Sequence, residues 1–361
     1  MQRWPNIAQT VIQKNDFSQD IVKNIQTLIQ ELPNGKIRLL QDTNAPDIKD
    51  WESYLQPYLG KAWIEIPWYF AEAYFYRRIL EAADYFHSHF DPFASQKKKG
   101  LEEAIATLKN THFNNNLNSE KLQSLLYRNL WGNQADLSLK PSKTHDSQQA
   151  NTEHILVDDT SLVVDKLAVS QPRLDFVVDN AGSELLSDFY LADFLLRSNR
   201  VGTLYFHLKP HPTFVSDATI EDCDRTLTTL TTHSNPDLSS LGERIKEAIA
   251  THKLILKADK FWTSPLVFWQ MPNSLQKELS QSNLIFLKGD ANYRRLLGDC
   301  HWNFTTSFAD ITCYFPASFV TLRTLKSEIV AGLTQEQINY LNNSDPEWLV
   351  NGQWGVIQSS T

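Results

Sequence analysis

The sequence predicts a mixed α/β protein in which a helical N-terminal part precedes a layered α/β domain. Three observations carry that prediction. Up to about residue 130, apolar residues recur at helical intervals and β-branched alternation is scarce. Past residue 154, short continuous apolar runs alternate with amphipathic stretches, as parallel strands alternate with crossover helices. Between the two, KPSKTHDSQQANTEH (Lys140 to His154) is polar and rich in Ser, Gln and Asn, the composition of a surface linker. The expected division is a helical domain over 1–150 and an α/β domain over 151–361.

In chain order, DIVKNIQTLIQEL and WYFAEAYFYRRILEAADYF read as helices, with Gly60 and the pair Asp91-Pro92 as boundaries. Lys97–Lys99 reads as a solvated loop. LDFVV (Leu174–Val178) is the kind of apolar run buried in a parallel sheet, and ELLSDFYLADFLLRS after it has one apolar helical face. VGTLYFHL reads as a second strand and LSSLGERIKEAIATH as a helix. KLIL, LIFLK and ASFVTLRTL supply further strands, which puts the ligand cleft at the strands' carboxyl ends.

Charge and composition exclude several classes of function. With 34 basic and 42 acidic residues the formal balance is −8, which argues against nucleic acid or an anionic membrane as the main partner. The three cysteines, Cys223, Cys300 and Cys313, form no CxxC pair and suggest neither a disulfide framework nor a zinc site. The N-terminal stretch lacks the apolar core of a signal peptide, and no segment approaches the length of a membrane span, so a cytoplasmic location is expected.

The chemistry gathers at strand ends. LDFVV runs into Asp179-Asn180-Ala181-Gly182-Ser183-Glu184, where a carboxylate and an amide suit a hard cation. The plain alternative is a turn in which Asp and Asn bond their own backbone. The second strand leads to Asp217, which is either a second carboxylate beside Asp179 or the N-cap of the next helix. His207 and His211 read as packing or loop histidines, because prolines interrupt their segment. LIFLK ends in Gly289-Asp290-Ala291-Asn292-Tyr293-Arg294-Arg295, and the last strand carries Arg323-Thr324-Leu325-Lys326, whose cations suit a phosphorylated ligand.

Taken together, IPWYFAEAYFYRRI, LWGNQADLSL, VVDNAGSELLSDFYLADFLL, FVSD, FLKGDANYRRLLGD and LRTLKSEIVAGL closely resemble the damage-control phosphatase family, in the family's order. Arg323–Lys326 matches the RTxK signature of its subfamily III, which contains the acidic-residue methyltransferase-like proteins. The resemblance implies a three-layer α/β/α sandwich beside an N-terminal helical domain. It also implies a divalent metal (Mn²⁺, Ni²⁺ or Co²⁺, with Mg²⁺ possible) on Asp179, Asn180 and Asp217. It further implies substrate contacts from Glu184, from Asp290, Ala291, Asn292, Tyr293 and Arg294, and from Lys326 with Arg323. Glu72, Arg77 and Arg78 lie in a matching helix and either reach the pocket or brace the helical domain as ion pairs. The sequence departs from the family pattern at His211, near Thr213 and at Ala291, which bears on pocket shape.

The implied activity is hydrolysis of small phosphate esters, such as fructose 1-phosphate, other sugar phosphates or damaged phosphometabolites, by a metal-activated water that Asp217 or Glu184 orients or deprotonates. A phospho-aspartyl route needs a second Asp two residues after Asp179, where Ala181 stands. The competing expectation is methyl transfer from S-adenosylmethionine to protein carboxylates, and no glycine-rich loop of the usual kind supports it. A non-catalytic sugar-phosphate binder is the third.

Overall fold

The computed structural model describes residues 3–108, 116–132 and 152–360. Among these, seven strands form one sheet in the order β1-β7-β6-β5-β2-β3-β4. The strands are β1 (Ile155–Asp158), β2 (Gln171–Val177), β3 (Val201–Leu208), β4 (Leu254–Ala258), β5 (Leu284–Lys288), β6 (Phe319–Thr324) and β7 (Gly355–Ser360). β2 to β6 run parallel, β7 pairs antiparallel with β6, and β1 pairs parallel with β7. The order turns back between β2 and β5, and a crevice opens at such a switch point, beyond the carboxyl ends of the strands.

The central strands are buried on both faces, which is why they read as continuous apolar runs. Leu174, Phe176, Leu204, Phe206, Leu284 and Phe286 face one helical layer. Val177, Ile285, Leu287 and Phe319 face the other. The three-layer arrangement expected from the resemblance is therefore present. β1 and β7 were not expected: β1 is short and lies at the sheet's edge, and β7 ends in polar residues.

A third apolar cluster belongs to the N-terminal helices, from Trp4 to Phe93. Its spine is the helix Trp68–Ala82, buried nearly all round. Trp4 stacks on Trp68 (4.9 Å between centroids) and on Phe75 (5.1 Å). The helix carries two charges into this interior, and each is paired. Arg77 meets Asp42 and Asp47, both at 2.8 Å, while Arg78 meets Glu31 at 2.6 Å and Glu81 at 2.9 Å. These arginines brace the helical layer, as buried ions must be matched to be tolerated. The helices Ala94–Leu108 and Ser119–Leu130 instead pack on the sheet side, against the helix Ser183–Arg197.

Two local expectations are corrected. Lys97–Lys99 is not a loop but part of a helix, and Lys97 is buried between Asp91 (3.1 Å) and Asp222 (2.7 Å). Only Lys98 and Lys99 are solvated. Asp217 does not cap the helix Ile220–Thr231; Thr219 does, in a capping box closed by Asp222. The expected linker falls outside the described residues except for Thr152–His154, just before β1. Among the described residues, no helix is long and apolar enough to cross a membrane.

Asp222 thus serves a helix cap and a buried ammonium at once. Asp222→Ala should lower stability by about 2–4 kcal/mol in urea unfolding, because it removes the carboxylate half of the capping box and one of the two partners of Lys97. Lys98→Ala on the same helix should stay within about 0.5 kcal/mol of wild type.

Candidate metal centre and phosphate cleft

β2 ends at Val177 and the chain continues into Asp179 and Asn180, while the segment after β3 returns beside it. Asn180 and Asp217 form an isolated antiparallel bridge. The Ala218 N–H donates to the Asp179 carbonyl (2.8 Å), and the Ala181 N–H donates to the Ser216 carbonyl (2.7 Å). The turn that makes this return possible is strained. Phe214 (φ +45°) and Val215 (φ +68°) both sit in the left-handed region, where a β-branched residue is an outlier. Such backbone costs on the order of 1–3 kcal/mol per residue. Phe214 is held there by its ring, packed on Tyr76 (4.9 Å) and Tyr69 (5.9 Å).

The result is two carboxylates side by side and almost out of water. Burial pushes Asp179 well above the usual carboxylate range; Glu184 and Asp217 add to the rise, and Lys209 and Lys326 offset part of it. Burial likewise raises Asp217, against the pull of Lys209. Lys209 sits 3.2 Å from Asp217 Oδ2 and 3.9 Å from Asp179 Oδ1, and donates to the Val178 carbonyl (2.6 Å). Asp179 Oδ1 is buried with no hydrogen-bond partner. Asn180 Nδ2 donates to Asp179 Oδ2 (2.7 Å) and Glu184 Oε2 (3.0 Å), and Ser216 Oγ donates to Asn180 Oδ1 (2.5 Å).

These oxygens fit a hard divalent cation. An orphaned buried carboxylate oxygen asks for a positive partner. Asp179, Asp217, Glu184 and Asp188 set four carboxylates against the ammoniums of Lys209 and Lys288, with Lys326 also acting on Asp179, so negative charge is in excess. Among the described residues no three His, Cys, Asp or Glu side chains form a group that could hold a metal ion. The approach is tight. Gly289 (φ +78°) opens the helix Gly289–Leu296, and a Cβ there would collide with the Asp179 carboxylate.

Asp179, Asn180 and Asp217 line a cleft of about 1290 Å³ together with Asp290, Ala291, Arg294 and Lys326. The N-terminal layer supplies the facing wall, including Tyr54, Trp68, Tyr69 and Glu72. Arg294 is pinned by Glu72 (Nη1, 2.7 Å) and Asp299 (Nε, 2.7 Å), while its Nη2 has no partner. Burial works against its charge, but Glu72, Asp299 and Asp290 outweigh that and hold it above the usual range. Asp290 is held below its usual value because Arg323 and Arg294 more than offset burial. It accepts from Arg323 Nε (2.8 Å), Ser327 Oγ (3.0 Å) and the Lys326 N–H (3.3 Å).

Four of the expected substrate contacts lie elsewhere. Arg323 is fully buried and binds Asp290, Ser327 and the Ile329 carbonyl, so it builds the Lys326 loop rather than facing the cleft. Asn292 donates to the Lys288 carbonyl, and Tyr293 donates to Gln358 Oε1 under a stack on Phe308. On a helix that begins at Gly289, those two positions point into the protein while Asp290, Ala291 and the buried Arg294 lie on the side that lines the cleft. Glu184 lies beneath the cleft, with both oxygens bonded to protein. His207 bonds Asp175 (2.8 Å) and His211 lies 3.5 Å from Asp47, so both are packing histidines. Lys209 and Lys288 were missed, although each is a lysine that ends an apolar strand, the mark of a buried paired charge.

The sequence profile described as the damage-control phosphatase ARMT1-like domain matches residues 1–341. The damage-control phosphatase ARMT1 of Xenopus tropicalis is 33% identical over 375 residues, covering 92% of this chain and 85% of that protein. That of Danio rerio is 32% identical, covering 93% and 84%, and that of Homo sapiens is 34% identical, covering 85% and 77%. A crystal structure of a DUF89 family protein from Pyrococcus horikoshii superposes with a TM-score of 0.55 at 13% identity, covering 100% of this chain and 97% of that one.

Gly289→Ala should weaken Mn²⁺ binding about tenfold or more in calorimetry, since the new methyl displaces the Asp179 carboxylate. Unchanged affinity would mean that Asp179 holds no cation.

Proposed function

The chain belongs to the damage-control phosphatase ARMT1-like family, and on that premise we propose that it hydrolyses small phosphate esters with a divalent cation held by Asp179, Asn180 and Asp217. The observation that carries this reading is one cleft with buried carboxylates at its floor and two cationic groups beside them: Lys326, and Arg294 with a buried Nη2 that has no partner. A cation bound there supplies charge neutralisation and a water of lowered pKa. Everything else falls to the protein's own side chains.

Lys326 and Arg294 Nη2 take the non-bridging phosphoryl oxygens, and Glu72 with Asp299 keeps the guanidinium from swinging away. Asp290 ties the Lys326 backbone to the same corner of the cleft. Asp217 lines the cleft and accepts the proton of the attacking water; Glu184 has no free oxygen for that task. The organic part of the ester lies against the aromatic wall of Tyr54, Trp68 and Trp269, which favours ring-shaped groups such as those of sugar phosphates. Mn²⁺, Ni²⁺ or Co²⁺ is the expected metal, with Mg²⁺ as a substitute. The −8 balance favours free metabolites in the cytoplasm over nucleic acid or membrane substrates. Methyl transfer is not favoured, because the buried acidic floor would repel a carboxylate acceptor.

Metal-stripped protein should release phosphate from sugar phosphates only after Mn²⁺, Ni²⁺, Co²⁺ or Mg²⁺ is restored. Asp179→Ala should abolish that release while the protein stays folded by circular dichroism. Lys326→Ala should raise KM about tenfold or more, in line with a lost charged hydrogen bond. Metal-independent release, or full activity in Asp179→Ala, would refute the reading.

A further inference from the structure

Beneath the cleft floor runs a line of buried polar side chains that the phosphate site itself does not use. The Asn180 amide commits its Nδ2 to two carboxylate oxygens, Asp179 Oδ2 (2.7 Å) and Glu184 Oε2 (3.0 Å). An NH₂ group has two protons, so both are spoken for. That fixes which end of the amide is which; the carbonyl oxygen accepts from Ser216 Oγ (2.5 Å) and keeps a second lone pair that can face a cation. The other oxygen of Glu184, Oε1, accepts from Lys288 Nζ at 3.0 Å. Lys288 is fully buried and also donates to Asp188 Oδ1 at 3.0 Å, an oxygen that accepts in turn from Asn129 Nδ2 at 2.7 Å.

The elements that bring these groups together are rigid. Glu184 and Asp188 are one turn apart on the helix Ser183–Arg197, Lys288 ends β5, and Asn129 comes from the last turn of the helix Ser119–Leu130. Burial works against the Lys288 charge, yet Asp188 and Glu184 outweigh it and hold the ammonium above its usual range.

We propose that Lys288, backed by Asp188 and Asn129, is a positioning residue that fixes Glu184 on the Asn180 amide, so that Glu184 serves the metal ligand and does not touch the substrate. This rests on the reading of Asn180 as a cation ligand. An amide's two ends differ little in shape, and nothing but its hydrogen-bond partners decides which end faces the cation. Without Glu184 on Nδ2, the amide keeps only Asp179 Oδ2 and the Ser216 hydroxyl to hold its orientation, and its carbonyl oxygen is less firmly fixed toward the cation. Without Lys288, Glu184 becomes a buried anion with no counter-charge and leaves its place.

The test measures Mn²⁺ binding by calorimetry on substrate-free Lys288→Met and Glu184→Gln, beside KM for fructose 1-phosphate at saturating Mn²⁺. Both variants should bind Mn²⁺ about 10–100-fold more weakly than wild type, the usual loss when a ligand's supporting partner goes. Once metal is saturating, KM should stay within about twofold of wild type. Should Lys288→Met fail to fold, Glu184→Gln keeps the Lys288–Asp188 pair and decides the matter alone. A purely structural role would lower the thermal midpoint and leave the Mn²⁺ affinity of the folded protein at the wild-type value, which would overturn the proposal. A raised KM with wild-type Mn²⁺ affinity in Glu184→Gln would also overturn it, by making Glu184 a substrate contact. If wild type itself binds no Mn²⁺, the metal-centre reading fails and takes this inference with it.

Discussion

Two carboxylates buried side by side repel each other and lose hydration, and that cost shapes the rest of this protein. Asp179 and Asp217 stand where neighbouring parallel strands run out, both pushed upward by burial. Lys209 and Lys326 offset part of their charge and Lys288 offsets that of the carboxylates beneath, yet the carboxylates still outnumber the ammoniums. A divalent cation, as proposed, would balance the remainder. Folding prepares this arrangement at a visible cost: two residues in left-handed backbone at Phe214 and Val215, and a glycine at 289 that no side chain can replace without striking Asp179.

Neighbouring residues of one type have been given opposite tasks. Arg294 lines the cleft and keeps one buried nitrogen without a partner, whereas Arg295 turns inward and bonds the carbonyls of Phe261, Trp262 and Leu266. Arg295 therefore clamps the segment that carries Trp269, so one arginine faces the ligand and the next fixes the wall around it. The N-terminal helices are likewise part of the site. Glu72 holds Arg294, and the Tyr69 N–H bonds Asp299, so a cleft built on strand ends is completed by a separate apolar cluster.

Much of the fold was legible because β2 to β6 are buried on both faces and need unbroken apolar runs. The edge strand β1 and the polar-ended β7 lack that signal. Packing partners were not legible either: the lysine run at Lys97–Lys99 read as a loop, and nothing in it said that Ala94–Leu108 is a helix packed on the sheet side. In the site, the gathering of Asp179, Asn180 and Asp217 at one cleft was legible because they follow buried strands that end at the same edge of the sheet. Asn292, Tyr293, Arg323 and Glu184 share motifs with cleft residues but not their direction, and direction is set by helix rotation and by partners distant in sequence. Lys97 shows the same limit, since a run of three lysines hid one that pairs with Asp222, 125 residues away.

The central claim is that this carboxylate pair exists to hold a divalent cation. A crystal structure of the protein grown with Mn²⁺, with the ion located by its anomalous scattering, tests that most directly. The account predicts one strong peak in the cleft, coordinated by Asp179, Asp217 and the Asn180 carbonyl oxygen, with Lys209 shifted away from the pair. A peak elsewhere, or none while Lys209 still bridges the two carboxylates, would contradict it.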